Sequence, residues 1–332
     1  MSARHAASPG RRDEGRAQPA GGGDGEYTTY YGRPVVKAPP WEVDIPAYMF
    51  AGGLAAGSSL LAAGGDLTGR PALRRAGRLT AAGALGFSMV ALIHDLGRPE
   101  RFLNMLRTMK LTSPMSVGTW ILSLYGGPAG LAAASEVARW AGLRRGPFRL
   151  LAALDRPAGV AAGLTAPPVA AYTAVLLADT ATPSWHESYR ELPFVFCGSA
   201  AAAAGGAAMI LAPADQAGPA RRLAVGGAVA EVAAEQRMER SMGLTAEPLH
   251  HGKAGKLMTA AKYLTAGGAA LSLLAGRSRV AAVTAGAALL AGSACTRLGI
   301  FEAGIASAED PKYTVVPQRE RLRRGQPVRY EG

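Results

Sequence analysis

The chain has 332 residues, 36 Lys+Arg against 24 Asp+Glu for a net charge of +12, with 49% apolar and 18% charged residues. That balance excludes an intrinsically disordered chain, which needs low hydrophobicity together with high net charge. Two cysteines exclude a disulfide scaffold and a chain-borne iron–sulfur cluster held by four thiolates.

Residues 1–44 are polar and rich in Gly, Arg and Pro, with no apolar run that could act as a cleavable signal peptide. From residue 45 the chain turns into about eight apolar segments of roughly 17–25 residues, the length that crosses a ~30 Å hydrocarbon layer. They fall near 45–65, 76–96, 114–138, 158–179, 193–212, 220–236, 256–275 and 280–302. Glu231 and Glu235 interrupt the sixth, so seven crossings are the alternative count. Strand alternation is absent. The reading is an all-α, polytopic helical membrane protein with about eight transmembrane helices in a bundle. Its parts are a polar N-terminal tail (1–44), a transmembrane domain (45–302) and a basic C-terminal tail (303–332).

Local punctuation agrees. The second segment stops at Asp95-Leu96-Gly97-Arg98-Pro99, a Gly cap followed by a Pro that cannot continue the helix. The third starts at Ser113-Pro114, an N-cap residue with Pro in the first turn. Between them Phe102, Met105, Leu106 and Met109 recur at i, i+3, i+4, i+7 opposite Glu100, Arg101, Asn104, Arg107 and Lys110, which predicts a short helix lying in the interface. Gly53/Gly57 and Gly126/Gly130 stand at GxxxG spacing, which lets helix backbones approach in lipid.

Eight crossings put both tails on one side. The loops on the other side hold Arg70, Arg74, Arg75, Arg78, Arg139, Arg144, Arg145, Arg149, Arg156, Arg221, Arg222, Arg277 and Arg279 with few acids. The positive-inside rule makes that side cytoplasmic and the tails extracytoplasmic, in a multi-pass protein of the cell membrane. All five histidines (His5, His94, His186, His250, His251) fall on the tail side, as do Asp44, Asp95 and Trp185-His186-Glu187. The opposite side is expected to hold arginine and little else, so chemistry and docking are sought on the tail side.

No His lies at mid-membrane depth, where paired His would hold haem b, and the adjacent His250-His251 diverge where a zinc pair would need i, i+4 spacing. What remains is a ring of polar groups at tail-side helix ends. It comprises Trp41, Glu42, Asp44 and Tyr48 at the start of the first segment, His94-Asp95 at the end of the second, Tyr172 in the fourth, and Arg297 and Glu302 in the eighth. A phenol with a His/Asp pair at interface depth suits a quinone head group, whose carbonyls want hydrogen-bond donors and whose redox chemistry needs a proton acceptor. His94 and Asp95 are the candidate catalytic pair; Asp44, Tyr48 and Tyr172 are the candidate quinone contacts. Belt aromatics, or an Asp95–Arg98 pair that merely ends a helix, are the plain alternatives. Deeper, Glu231, Lys262 and Arg297, with Glu136 nearer the far end, are candidates for a proton route. Equally, Glu231 could pair with Lys262 as bundle glue.

Three stretches carry a family resemblance: Ala38-Pro39-Pro40-Trp41-Glu42 through Tyr48-Met49-Phe50-Ala51-Gly52-Gly53-Leu54-Ala55-Ala56-Gly57; Asp95-Leu96-Gly97-Arg98-Pro99-Glu100-Arg101-Phe102; and Ser113-Pro114-Met115-Ser116-Val117-Gly118-Thr119-Trp120. The chain resembles the NrfD/polysulfide-reductase membrane-subunit family from about residue 38 to 318, ending in Arg297-Leu298-Gly299-Ile300-Phe301-Glu302 and Pro311-Lys312-Tyr313. The resemblance implies an eight-helix, haem-free subunit that holds no metal of its own and exchanges electrons and protons with menaquinone or ubiquinone. It implies as partners a ferredoxin-like 4Fe-4S subunit and a molybdopterin catalytic subunit, as in formate dehydrogenase or polysulfide reductase complexes, and no nucleic acid. It places the quinone near the docking face, with contacts carried over to Asp44 or Tyr48 and to Tyr172. The first segment has no His at the family's quinone-side position, and Asp44 is the residue nearest in kind.

The tails fit docking, through Tyr27, Tyr30 and Tyr31 before the first segment and Arg319 to Arg324 after the last. The chain supplies no redox-cofactor ligand set, so it is a subunit and not a complete enzyme. The competing readings are a purely structural anchor, and a proton or solute transporter. The transporter should show two similar halves, and no internal repeat is visible in the sequence.

Overall fold

The computed structural model describes residues 34–95, 107, 109–143, 145–146 and 148–325. Among these residues there are helices and no strand: α1 (Asp44–Leu67), α2 (Pro71–Asp95), α3 (Pro114–Trp140), α4 (Phe148–Ala178), the short α5 (Pro183–Glu187), α6 (Leu192–Leu211), α7 (Gly218–Met242), a 3₁₀ segment (Gly243–His250), α8 (Gly252–Ser272), α9 (Arg279–Glu309) and α10 (Lys312–Arg323). The predicted interfacial helix from Phe102, the Asp95–Arg98 pair and the tail tyrosines fall outside the described residues.

Five helices, α1, α2, α4, α6 and α9, are long and apolar enough to cross a membrane. This falls short of the expected eight on composition. Among the remaining long helices, α7 carries Glu231, Glu235 and Arg237, and α8 carries Lys253, Lys256 and Lys262. Helix α3 opens as its sequence predicts, with the Ser113 hydroxyl accepting from the Ser116 amide at 3.4 Å and Pro114 in the first turn. Two boundaries move furthest. Helix α4 begins ten residues before the predicted 158, through Asp155 and Arg156, because Asp155 is held by arginines from neighbouring helices. Helix α9 runs past 302 to Glu309, and α10 follows inside the stretch expected to be a tail.

The helices form two four-helix halves with one pairing pattern. Helix α1 packs on α2 and α4, α3 packs on α4, and α2 meets α3 only sparsely; α6, α7, α8 and α9 pair in the same way, with α1, α6 and α9 meeting at the centre. The repeat absent from the sequence is thus present in the packing, which corrects the expectation of no two similar halves and removes that argument against a transporter. Small residues set the close approaches: a Cβ on Gly57 would lie 2.6 Å from that of Ala204. The Gly126/Gly130 pair does not pack in this way, since a Cβ on Gly130 meets nothing within 4 Å.

The starts of α1, α3, α6 and α8 share one side of the bundle with the ends of α2, α4, α7 and α9. Three contacts tie that tail side together: Asp44 with His94, Trp185 with the Ile300 carbonyl, and Lys253 with Glu302. The opposite side corrects the expectation of arginine and little else. There Glu136, 1% exposed, accepts from Arg74 Nε at 3.0 Å and from Arg78 Nη1 at 3.2 Å. Arg78 also donates to Asp155, which takes a second bond from Arg139, while Arg74 reaches Asp66 at 3.2 Å. The charges offset one another, which is how α2, α3 and α4 bury them.

Candidate functional site

A cavity of about 380 Å³ opens on the tail side between α1, α2, α3 and α4. Tyr48, Tyr172 and Asp95, singled out in the sequence, all line it, along with Trp41, Thr119 and an apolar set of Leu and Met side chains. Volume and lining are those of a small-molecule site: concave, mostly apolar, with a few converging polar groups.

Local structure fixes each polar group. Tyr48 lies in the second turn of α1, where its backbone carbonyl accepts from Ser88 Oγ of α2 at 3.2 Å. Tyr172 comes from α4 and meets Tyr48 edge to face, with ring centroids 6.5 Å apart. Its ring lies flat on α3 because residue 118 is glycine; a Cβ there would sit 2.6 Å from Tyr172 Cδ2. Neither phenol hydroxyl has a hydrogen-bond partner among the described residues, so both are free to donate into the cavity. Asp95 closes the tail-side end at the last residue of α2. Beside it His94 Nδ1 and Asp44 Oδ2 lie 2.8 Å apart, with His94 mostly exposed and Asp44 partly so. Asp44 and His94 therefore form a solvent-facing pair near the cavity and do not line it.

Trp41 forms part of the wall and stacks on Trp185 at a centroid distance of 5.8 Å. Trp185 is 1% exposed, donates its Nε1–H to the Ile300 carbonyl at 2.8 Å and packs on Phe301. Gly304 makes the space for it, since a Cβ there would lie 1.9 Å from Trp185 Cε2. Sequence reasoning missed this brace, because its members are more than a hundred residues apart. It also missed Thr119, Ser123 and Gly127, for which a signal existed: Met115, Thr119, Ser123 and Gly127 recur at i+4 along one face of α3.

The deeper candidates separate. Glu231 and Arg297, 2% and 1% exposed, sit inside the second half. Glu231 Oε1 accepts from Thr296 Oγ1 at 2.7 Å; Arg297 donates Nη2–H to the Phe196 carbonyl at 2.8 Å and lies over the Phe196 ring at 3.7 Å. Ser199 and Ser293 share a hydrogen bond of 2.8 Å in the same layer. Lys262 is not part of this cluster. It lies on the exposed face of α8, and its charge bears on Glu235, so the alternative of a Glu231–Lys262 ion pair is corrected. Glu136 belongs to the far-side network. Of the loop histidines, His250 approaches Glu239 at 3.8 Å while His251 Nδ1 meets the Glu247 carbonyl oxygen at 2.9 Å, so the two rings diverge.

These features define a polytopic helical membrane protein with an amphipathic cavity at one end of its first half. The chain belongs to the NrfD family: the family described as polysulphide reductase, NrfD, matches residues 35–223, more than half its length. The family is one of membrane subunits of quinone-linked oxidoreductase complexes, which generally pair with iron–sulfur and molybdopterin subunits. A search of curated proteins gives no match. Every residue lining the cavity lies inside the matched stretch, and Glu231 and Arg297 lie beyond it.

Proposed function

We infer that this chain is the haem-free subunit that passes electrons and protons between a membrane quinone, menaquinone or ubiquinone, and an iron–sulfur partner of a molybdopterin-type oxidoreductase. In this reading its eight long helices all cross the cytoplasmic membrane, and the tail side faces out. The observation that carries the reading is the cavity's tail-side end, where two phenols with free hydroxyls and one carboxylate converge within apolar walls. A bound quinone supplies two-electron, two-proton chemistry there. The phenols of Tyr48 and Tyr172 donate to ring oxygens and orient them, and Asp95 takes or gives a proton. The exposed His94–Asp44 pair, next to Asp95 in the fold, exchanges that proton with solvent. The iron–sulfur partner docks over this side, because electron transfer needs its cluster near the ring.

The test is turnover of the purified native complex with a quinone or quinol. Tyr172→Phe and Asp95→Asn should each lower quinone-linked turnover while the partners still co-purify. Unchanged turnover in both variants discards the site, and a complex whose clusters show no response to quinone is a structural anchor.

The buried cluster supports a second element of the reading, a proton route through Glu231, Thr296 and Arg297. Lys262 would join it only through its charge on Glu235. In proteoliposomes Glu231→Gln should reduce vectorial proton movement with little change in electron transfer. Equal loss of both would mark the cluster as structural.

A further inference from the structure

Helix α8 has 21 residues, a length of about 31 Å that matches the hydrocarbon layer. Lys262 stands at its middle, on the outer face, and makes no hydrogen bond or ion pair among the described residues. Each end of the helix is about 15 Å from it, farther than the stem of a lysine carries its ammonium. Beside it Tyr263 is 74% exposed, and no described residue bonds its hydroxyl. Thr259, one turn nearer the tail side, is exposed as well. The outward faces of the first half are apolar in the membrane interior, with Phe87 and Val90 on α2 and Leu164 on α4. A lone ammonium in hydrocarbon is strongly unfavourable, so a charge at this depth calls for a partner.

The same face is shaped to receive a helix. Past Tyr263 it continues in Ala266, Gly267 and Ala270, all exposed, and a Cβ on Gly267 would meet nothing within 4 Å. The outer face of α7 runs alongside with Gly226, Ala230 and Ala233, again small and exposed. Small residues at this spacing let a further helix lie close in lipid. Helices α7 and α8 meet only sparsely, which leaves a seam between them, and Glu235 of α7 feels the Lys262 charge there.

Charge selects the occupant. Lys256 and Lys262 of α8 and Arg240 of α7 are exposed cations without an ion pair among the described residues. Of the nearby acids, Glu239 approaches His250 and Glu191 approaches Arg237, so Glu235 alone opposes the three. A second copy of this chain would set cation against cation across a two-fold interface, which is repulsive. A helix that carries carboxylates complements the surface.

We propose that the outer face of α7 and α8 is an intramembrane interface, covered by a transmembrane helix of another subunit that presents an Asp or Glu to Lys262. The interface rests on the reading in which α8 crosses the membrane.

The test is photocrosslinking of the native complex in its membrane, with p-benzoylphenylalanine replacing Tyr263 and, as a control, Leu164. The probe at 263 should join a membrane-spanning peptide of a different subunit, one that contains Asp or Glu, while the probe at 164 joins lipid. Ala266 carries the probe should the variant at 263 fail to assemble. Lys262→Leu should cut recovery of that subunit about tenfold, the scale of a polar contact between helices in lipid, and Lys262→Arg should retain it. Lipid adducts at 263, an adduct to a second copy of this chain, or unchanged recovery in Lys262→Leu would each overturn the interface and leave α8 a membrane helix. No adduct at 263 to lipid or protein, with lipid adducts at 164, would place α8 outside the membrane, and the reading of eight crossings would fail with it.

Discussion

The two halves of the bundle pair their helices alike and distribute charge in opposite ways. In α1–α4 the charged groups lie at the two ends: Asp44, His94 and Asp95 on the tail side, and Asp66, Arg74, Arg78, Glu136 and Asp155 on the other. Between them the polar groups are hydroxyls, such as the Ser59–Tyr125 pair at 2.9 Å. In α6–α9 the buried charges are central, with Glu231 and Arg297 in contact with Thr296 and Phe196. An apolar middle can open into a groove without stranding an ion, whereas a charge at that depth needs close partners. The same helix arrangement thus yields a cavity in one half and a closed polar core in the other.

The largest effect should come from breaking the far-side network. Arg78→Met removes the guanidinium shared by Glu136 and Asp155 and leaves buried carboxylates short of a partner, a change that typically costs about 3–5 kcal/mol. Thermal unfolding of the purified complex should show a clear drop. An unchanged midpoint would mean that Arg74 and Arg139 hold those carboxylates alone, so that the two ends of the first half are less alike in their need for pairing. At the other end, Asp95→Asn should reduce quinone-linked turnover by about a hundredfold, the scale of a lost proton-transfer group, with little change in stability. A variant that lost stability but kept turnover would reverse the roles given to the two ends.

The contrast between the ends was only half legible in the sequence. The tail-side groups could be found because each is a helix-end residue next to a capping or Gly-rich signal: Tyr48 ahead of the Gly52-Gly53 run, and Asp95 before Gly97 and Pro99. Helix length and polarity alone brought Tyr172 to the same end. The far-side network was hidden because Arg74, Arg78 and Arg139 read as loop charges, while Glu136 and Asp155 are distant in sequence from the arginines of α2 that neutralise them. The four-helix repeat left no trace in residue identity because lipid-buried packing asks only for small and apolar residues at contact positions. Gly304 and Trp185 illustrate the limit: one glycine among 43 carries the brace, and its spacing does not distinguish it.

That brace gives a test of intermediate size. Gly304→Ala forces a methyl into the buried Trp185 ring, an overpacking that typically costs about 1–3 kcal/mol. Because Trp185 supports Trp41, the cavity wall should shift with it, so quinone KM should rise more than kcat falls. A stability loss with an unaltered KM would show that the second half merely adjoins the cavity and does not shape it.

The smallest effect is expected at the surface of the second half, where charge is exposed and not buried. Lys312 Nζ of α10 donates to Glu247 Oε2 of the 3₁₀ segment at 2.6 Å, with the two side chains 35% and 36% exposed. The bond holds the Glu247 carboxyl below its ordinary value and lifts the Lys312 ammonium above its own. A depressed carboxyl contributes stability that is full above the unfolded glutamate value of about 4.3 and is lost as pH falls through the folded one. A raised ammonium contributes fully below about 10.4 and is lost as pH rises through its folded value. The contact is therefore intact at neutral pH and fails only in acid or strong alkali. Solvent screening keeps it below about 1 kcal/mol. Hydrogen exchange over residues 312–323 at pH 7 should be modestly faster in Glu247→Gln than in the wild type, and the difference should shrink as salt is added. A difference as large as that of Arg78→Met would mean that α10 is held as firmly as the buried network, and that exposure does not set the scale of ion pairing in this bundle.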